Sequence, residues 1–134
     1  MPGCVVLVVE DNEKSLKLFR DVLQASGFRT LEATTGLRAV ELATQHTPDL
    51  LLMDIHLPDI DGVKALELLR AHSRTADIPV LAVTAQAMHG DRARFLRAGF
   101  DDYISKPVDV VELVRAVREH CAGGRPRSGR PAVT

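Results

Sequence analysis

Five residues of this chain stand where short apolar runs end, and their types together suggest chemistry. Glu10 and Asp11 follow the run Cys4–Val9, Asp54 follows Asp49–Met53, Thr84 follows Pro79–Val83, and Lys106 follows Asp102–Ser105. Taken singly, each has a plain structural use. Asp11 or Asn12 can cap a helix, Thr84 can satisfy a loop backbone, and Lys106 can be a solvated charge. Taken together, they bring three carboxylates, a hydroxyl and an ammonium group to one place if the runs are neighbouring strands. Clustered carboxylates repel one another unless a cation sits among them. A small hard cation such as Mg²⁺ takes oxygen ligands, commonly one or two carboxylates with several waters. With Mg²⁺ and Lys106 present, the formal charges of Glu10, Asp11 and Asp54 sum to zero. A carboxylate can act as a nucleophile toward a phosphoryl group. Such transfer depends on in-line positioning and on neutralising the equatorial oxygens, which a metal and a lysine supply. The residues suit a phosphoryl acceptor.

The elements that must position them follow from the apolar pattern. Cys4–Val9 is a β-branched run of strand length, continuous as in a parallel strand buried on both faces. A helix begins near Glu13 with Leu16, Phe19 and Leu23 on one stripe, and Gly27 is placed to end it. Phe28–Ala33 reads as a second strand, and a second helix runs from about Thr35 to Gln45, stopped before Pro48. Asp49–Met53 is the third strand, Pro58–Gly62 is turn chemistry, and the helix after it aligns Val63, Leu66 and Leu69. Pro79–Val83 is the fourth strand and Gly90–Ala98 the fourth helix, closed by Gly99. Asp102–Ser105 is a short fifth strand. The last helix carries Val110, Leu113, Val114, Val117 and Cys121 at helical spacing. Alternating strands and helices predict an α/β fold, a parallel sheet with helices on both faces. The crevice beyond the strands' carboxyl ends is where such sheets hold ligands.

A chain of 134 residues suits one domain, and 46% hydrophobic with 26% charged residues is an ordinary globular mixture. A net charge of −1 gives no pull toward nucleic acid or an anionic membrane. No run is long enough to span a bilayer and no signal-type segment opens the chain, so the expected location is cytoplasmic. In that compartment Cys4 and Cys121 are expected to be reduced packing residues. The expected domain spans residues 1–122, and the Gly/Pro/Arg-rich residues 123–134 are expected to be a disordered tail.

The ordered motifs Val9-Glu-Asp-Asn12, Leu52-Met-Asp-Ile55 with Leu57-Pro58 and Gly62, Ala82-Val-Thr-Ala85 and Tyr103-Ile-Ser-Lys-Pro107 resemble those of two-component response-regulator receiver domains. The resemblance covers Val5 to Cys121. The Lys17-Leu-Phe19 stretch, Ala87-Met88 with Gly90-Asp91, and Tyr103–Pro107 are most similar to DivK-type single-domain regulators of cell division. The resemblance implies a CheY-like, flavodoxin-like (βα)5 three-layer sandwich whose five-stranded parallel sheet has the order 2-1-3-4-5. It implies Asp54 as phosphoacceptor and Asp11 as a direct Mg²⁺ ligand. Glu10 would act on the metal mostly through water, and the backbone carbonyl of His56 would be a further ligand. It also implies Thr84 as the hydroxyl that turns toward the phosphoryl group, Tyr103 as the aromatic that swings with it, and Lys106 as the partner of the phosphoryl oxygens, with a cis bond to Pro107. The implied partners are a sensor histidine kinase or a histidine phosphotransfer protein. A downstream protein would read the face made by the fourth helix, fifth strand and fifth helix. The chain is expected to be a stoichiometric phosphoacceptor that assists its own phosphorylation and dephosphorylation, and a monomer or weak dimer.

Other functions fit less well. A haloacid-dehalogenase-like phosphatase wants a second Asp two residues beyond the nucleophile, where this chain has His56. The His56 ring suits Mg²⁺ poorly and is expected to face solvent. A flavin-binding module would need a phosphate loop after the first strand, where Glu10 and Asp11 would repel a phosphate. A receiver-like module that only binds partners would have no need of an intact acceptor site.

Overall fold

The computed structural model describes residues 4–85 and 91–123. Its elements alternate as β1 (Val5–Val9), α1 (Glu13–Ala25), β2 (Arg29–Ala33), α2 (Gly36–His46), β3 (Leu50–Asp54), α3 (Gly62–Ala71), β4 (Val80–Thr84), α4 (Asp91–Ala98), β5 (Asp102–Ser105) and α5 (Val110–Gly123). The strands form one parallel sheet, as the apolar pattern predicts, in the order β2-β1-β3-β4-β5 that the resemblance implies. Predicted and observed element ends agree to within two residues.

Alternate strand residues feed two cores, which is why the inner strands read as unbroken aliphatic runs. On one face Leu7, Val9, Leu51, Met53, Val80 and Ala82 pack with Leu42 of α2, Leu66 and Leu69 of α3, and Phe95 of α4. On the other, Val6, Val8, Leu50, Leu52, Leu81 and Val83 pack with Phe19 and Leu23 of α1 and Leu113 and Val117 of α5. The α5 stripe holds from Leu113 onward, but Val110 in the first turn is exposed. Local chemistry sets the helix ends. Asn12, Thr35 and Asp61 are N-caps whose side chains accept from Ser15, Arg38 and Lys64 backbone N–H groups. After α1 the chain turns through Gly27, whose φ of +97° is open to glycine at little cost.

One expectation is overturned. Cys4 and Cys121 are not reduced thiols but form a disulfide, with Cα atoms 6.7 Å apart. Their separation of 117 residues hides their proximity. Helix α5 runs back along the sheet, so its last turns lie beside the start of β1. Both sulfurs join the core shared by α1 and α5, so the packing half of the expectation stands. Helix α5 also includes Gly123, one residue beyond the predicted boundary. The rest of the expected tail, 124–134, and the Ala87-Met88 pair lie outside the described residues. Among the described residues, no helix is long and apolar enough to cross a membrane.

Candidate functional site

The strand order reverses direction at β1 and β3, and the crevice of such a sheet opens beyond the carboxyl ends of those two strands. Glu10 directly follows β1 and Asp54 ends β3. Because β4 and β5 continue the sheet from β3, Thr84 ends β4 and Lys106 follows β5 along the same edge. The sheet order alone therefore gathers residues that are up to 96 positions apart. Glu10, Asp54 and Lys106 line an open cleft with Asp11, His56 and Ala85.

Lys106 is the hub. Its Nζ donates to Glu10 Oε1 at 2.8 Å and to Asp54 Oδ2 at 3.0 Å. Its backbone is held by donation to the Thr84 carbonyl at 2.8 Å, and its bond to Pro107 is cis. Burial pulls the ammonium down, but its bonds to Glu10 and Asp54 outweigh this and hold it above its ordinary value. Glu10 is fully buried, where the sequence offered only a neighbour of the metal ligand. Burial, then hydrogen bonding with Asp54, pushes its carboxyl up to about 7 against the opposing pull of Lys106 and the Asn12 backbone. Asp54 is 5% exposed, and its Oδ1 accepts from the His56 backbone N–H at 2.9 Å. Asp11 is exposed on the cleft wall, and the His56 side chain faces solvent as expected.

Oxygen atoms of Glu10, Asp11 and Asp54 all lie within 4.8 Å of one another. With Lys106 the group carries a formal charge of −2, which one divalent cation would cancel. An all-oxygen donor set with two free charges fits a small hard ion such as Mg²⁺. Three of the expected metal residues, Glu10, Asp11 and Asp54, are thus brought together. The expected switch residues lie apart from the cleft lining. Thr84 is buried at the end of β4, and the half-buried ring of Tyr103 packs against Phe95, with 5.8 Å between centroids.

The sequence reading missed Asp59. Its two carboxylate oxygens accept from the Gly36 and Leu37 N–H groups at 2.8 and 2.9 Å. The Pro58–Gly62 stretch signalled a turn, but the partner lies 22 residues upstream and carries no local signal.

A parallel 2-1-3-4-5 sheet with an acidic, lysine-bridged cleft at its switch point defines a flavodoxin-like α/β protein of the receiver type. Residues 6–118 match the response regulator receiver domain family, and the chain belongs to it. It is 44% identical over 115 residues to the polar-differentiation response regulator DivK of Brucella ovis and of Brucella abortus, covering 86% of this chain and 94% of each relative. The receiver domain of the sensor histidine kinase PA1611 from Pseudomonas aeruginosa, solved with a magnesium ion coordinated in its active-site cleft, superposes with a TM-score of 0.83. It is 35% identical over 90% of this chain and 98% of that one. The receiver domain of the Francisella response regulator 1452 gives a TM-score of 0.84 at 26% identity over 90% of this chain and 98% of its own.

Proposed function

We propose that this chain is a phosphorylation-dependent switch of a two-component system that takes a phosphoryl group on Asp54. The observation that carries the reading is the placement of Asp54 at the switch point, bonded to Lys106 and within reach of Glu10 and Asp11. A carboxylate oxygen of Asp54 attacks phosphorus while the bond to the donor breaks. With a phosphohistidine donor, the P–N bond is lost and imidazole leaves, giving an acyl phosphate on Asp54. Asp11, Asp54 and the His56 carbonyl would hold Mg²⁺ directly, with Glu10 acting through water. When bound, the ion would supply positive charge beside the transferred oxygens. The Lys106 ammonium, now bonded to Asp54, would turn to the new phosphoryl oxygens as a charge-assisted donor.

The product adds negative charge to a cluster that already carries an excess of it, so an arrangement that brings in further donors gains population. The Thr84 hydroxyl is the donor on the next strand. Its movement toward the phosphoryl group would vacate space that the Tyr103 ring fills. This would reshape the face formed by α4, β5 and α5, where a downstream protein reads the state. The kinase or phosphotransfer partner and a cytoplasmic setting belong to the same reading, and the chain is consumed and regenerated as a stoichiometric acceptor.

Intact mass after incubation with acetyl phosphate and Mg²⁺ tests the chemistry. The wild-type chain gains one phosphoryl group and Asp54→Asn gains none, whereas equal labelling of both would refute the assignment.

A further inference from the structure

The loop between β3 and α3 carries the His56 carbonyl, and what holds that loop comes from another element. Helix α2 already has a local cap, since the Thr35 side chain accepts from Arg38 N at 3.1 Å. Asp59, more than twenty residues away in sequence, accepts from the two preceding N–H groups of the same helix, Gly36 at 2.8 Å and Leu37 at 2.9 Å. A first-turn helix N–H needs an acceptor, but water serves at an exposed end. The second cap therefore matters chiefly for where it places the loop. Packing agrees, because a Cβ built on Gly36 would stand 2.6 Å from Ile60 Cγ1, so loop and helix meet with no room for a side chain. At the start of the loop, the His56 N–H donates to Asp54 Oδ1, and Gly62 N donates to the Ile55 carbonyl at 2.8 Å. The segment from Asp54 to Gly62 is thus fixed at the acceptor end and at the α2 end.

We propose that Asp59 is a positioning residue for the acceptor site, holding the β3–α3 loop and its His56 carbonyl in register by a two-pronged bond to the N-terminus of α2. This inference rests on the reading of Asp54 and His56 given above. Burial pushes the Asp59 carboxyl up, but the N–H groups of Leu37, Gly36 and Ile60, together with its own, outweigh that and hold it below the ordinary carboxylate value. It is therefore ionised at neutral pH, the form a helix N-terminus favours.

The test compares Asp59→Ala with Thr35→Ala, which removes the local cap of the same helix but leaves the loop tether. Mg²⁺ alone is titrated by calorimetry, the His56 amide is followed by NMR, and thermal unfolding is recorded for each full-length chain. Residues that orient a metal's ligands typically alter its affinity roughly ten- to hundredfold, and the remaining loop restraints here reduce the expected loss for Asp59→Ala to about fivefold. Its His56 amide resonance should shift in the metal-free protein. Thr35→Ala should lower the unfolding temperature yet bind Mg²⁺ within about twofold of wild type. Wild-type affinity in Asp59→Ala, or equal weakening in Thr35→Ala, overturns the proposal. Acetyl phosphate labelling of the wild-type chain separates this from failure of the Asp54 reading. An unlabelled wild type refutes the acceptor, while the Mg²⁺ titration still decides the role of Asp59.

Discussion

The two ends of the sheet each hold a cation against carboxylates, and they balance their charges differently. At the amino end, Arg70 of α3 donates to the carbonyls of Ala76, Ile78 and Gly99 and to Asp101 at 3.1 Å. Asp101 in turn accepts from Val80 N at 2.8 Å, so one positive and one negative charge cancel among neutral dipoles. The disulfide closes the same end. At the carboxyl end, one lysine faces three carboxylates in an open cleft. The first arrangement ties α3 to the starts of β4 and β5. The second is left with an excess of negative charge, which a bound cation would offset. A balanced polar cluster holds a fold together, whereas an unbalanced one waits for a ligand.

The largest effect should come from opening the amino end. A cross-link between residues 117 apart restricts the unfolded chain strongly, so reduction or Cys121→Ser should lower stability by about 5 kcal/mol on the chain-entropy account. Denaturant melts with and without reductant measure this, and Mg²⁺ affinity should stay unchanged. A smaller loss, about 2–3 kcal/mol, is expected for Arg70→Met, which takes the guanidinium away from Asp101 and from three carbonyls while leaving part of the site to water. The same melts check it. If Arg70→Met weakened Mg²⁺ binding as much as it weakened the fold, the two ends would not be separable.

At the carboxyl end the sign should reverse. Asp54→Asn removes one of the repelling charges and leaves Lys106 its bond to Glu10. The metal-free variant should therefore be more stable than wild type by about 1 kcal/mol. The gain should vanish at saturating Mg²⁺, because the wild-type chain then gains binding energy that the variant largely lacks. Melts in chelator and in Mg²⁺ decide it, and a destabilised metal-free Asp54→Asn would place this cluster with the structural one.

Much of this was legible in the sequence for a physical reason. Parallel strands buried on both faces read as continuous runs, and topology places the residue after each run on one edge, so Glu10, Asp54, Thr84 and Lys106 could be grouped without coordinates. Periodicity could not show where a helix's neighbours stop, which is why Val110 was assigned to the stripe and is exposed. Contacts between elements distant in sequence left no local trace. The Cys4–Cys121 bond, the Asp59 cap on α2 and the Arg70 bonds all belong to this group. For the cysteines, the expected compartment argued against the pairing that the fold brings about.

The central claim is that Asp54 itself carries the phosphoryl group. An acyl phosphate is reduced by borohydride: one hydride adds to the carbonyl carbon and expels phosphate, and a second hydride with a proton from water reduces the resulting aldehyde to the alcohol, leaving homoserine. After acetyl phosphate and Mg²⁺ treatment, borohydride reduction and peptide mapping should find homoserine at position 54. Homoserine at Asp11 or elsewhere, with position 54 still aspartate, would contradict the account.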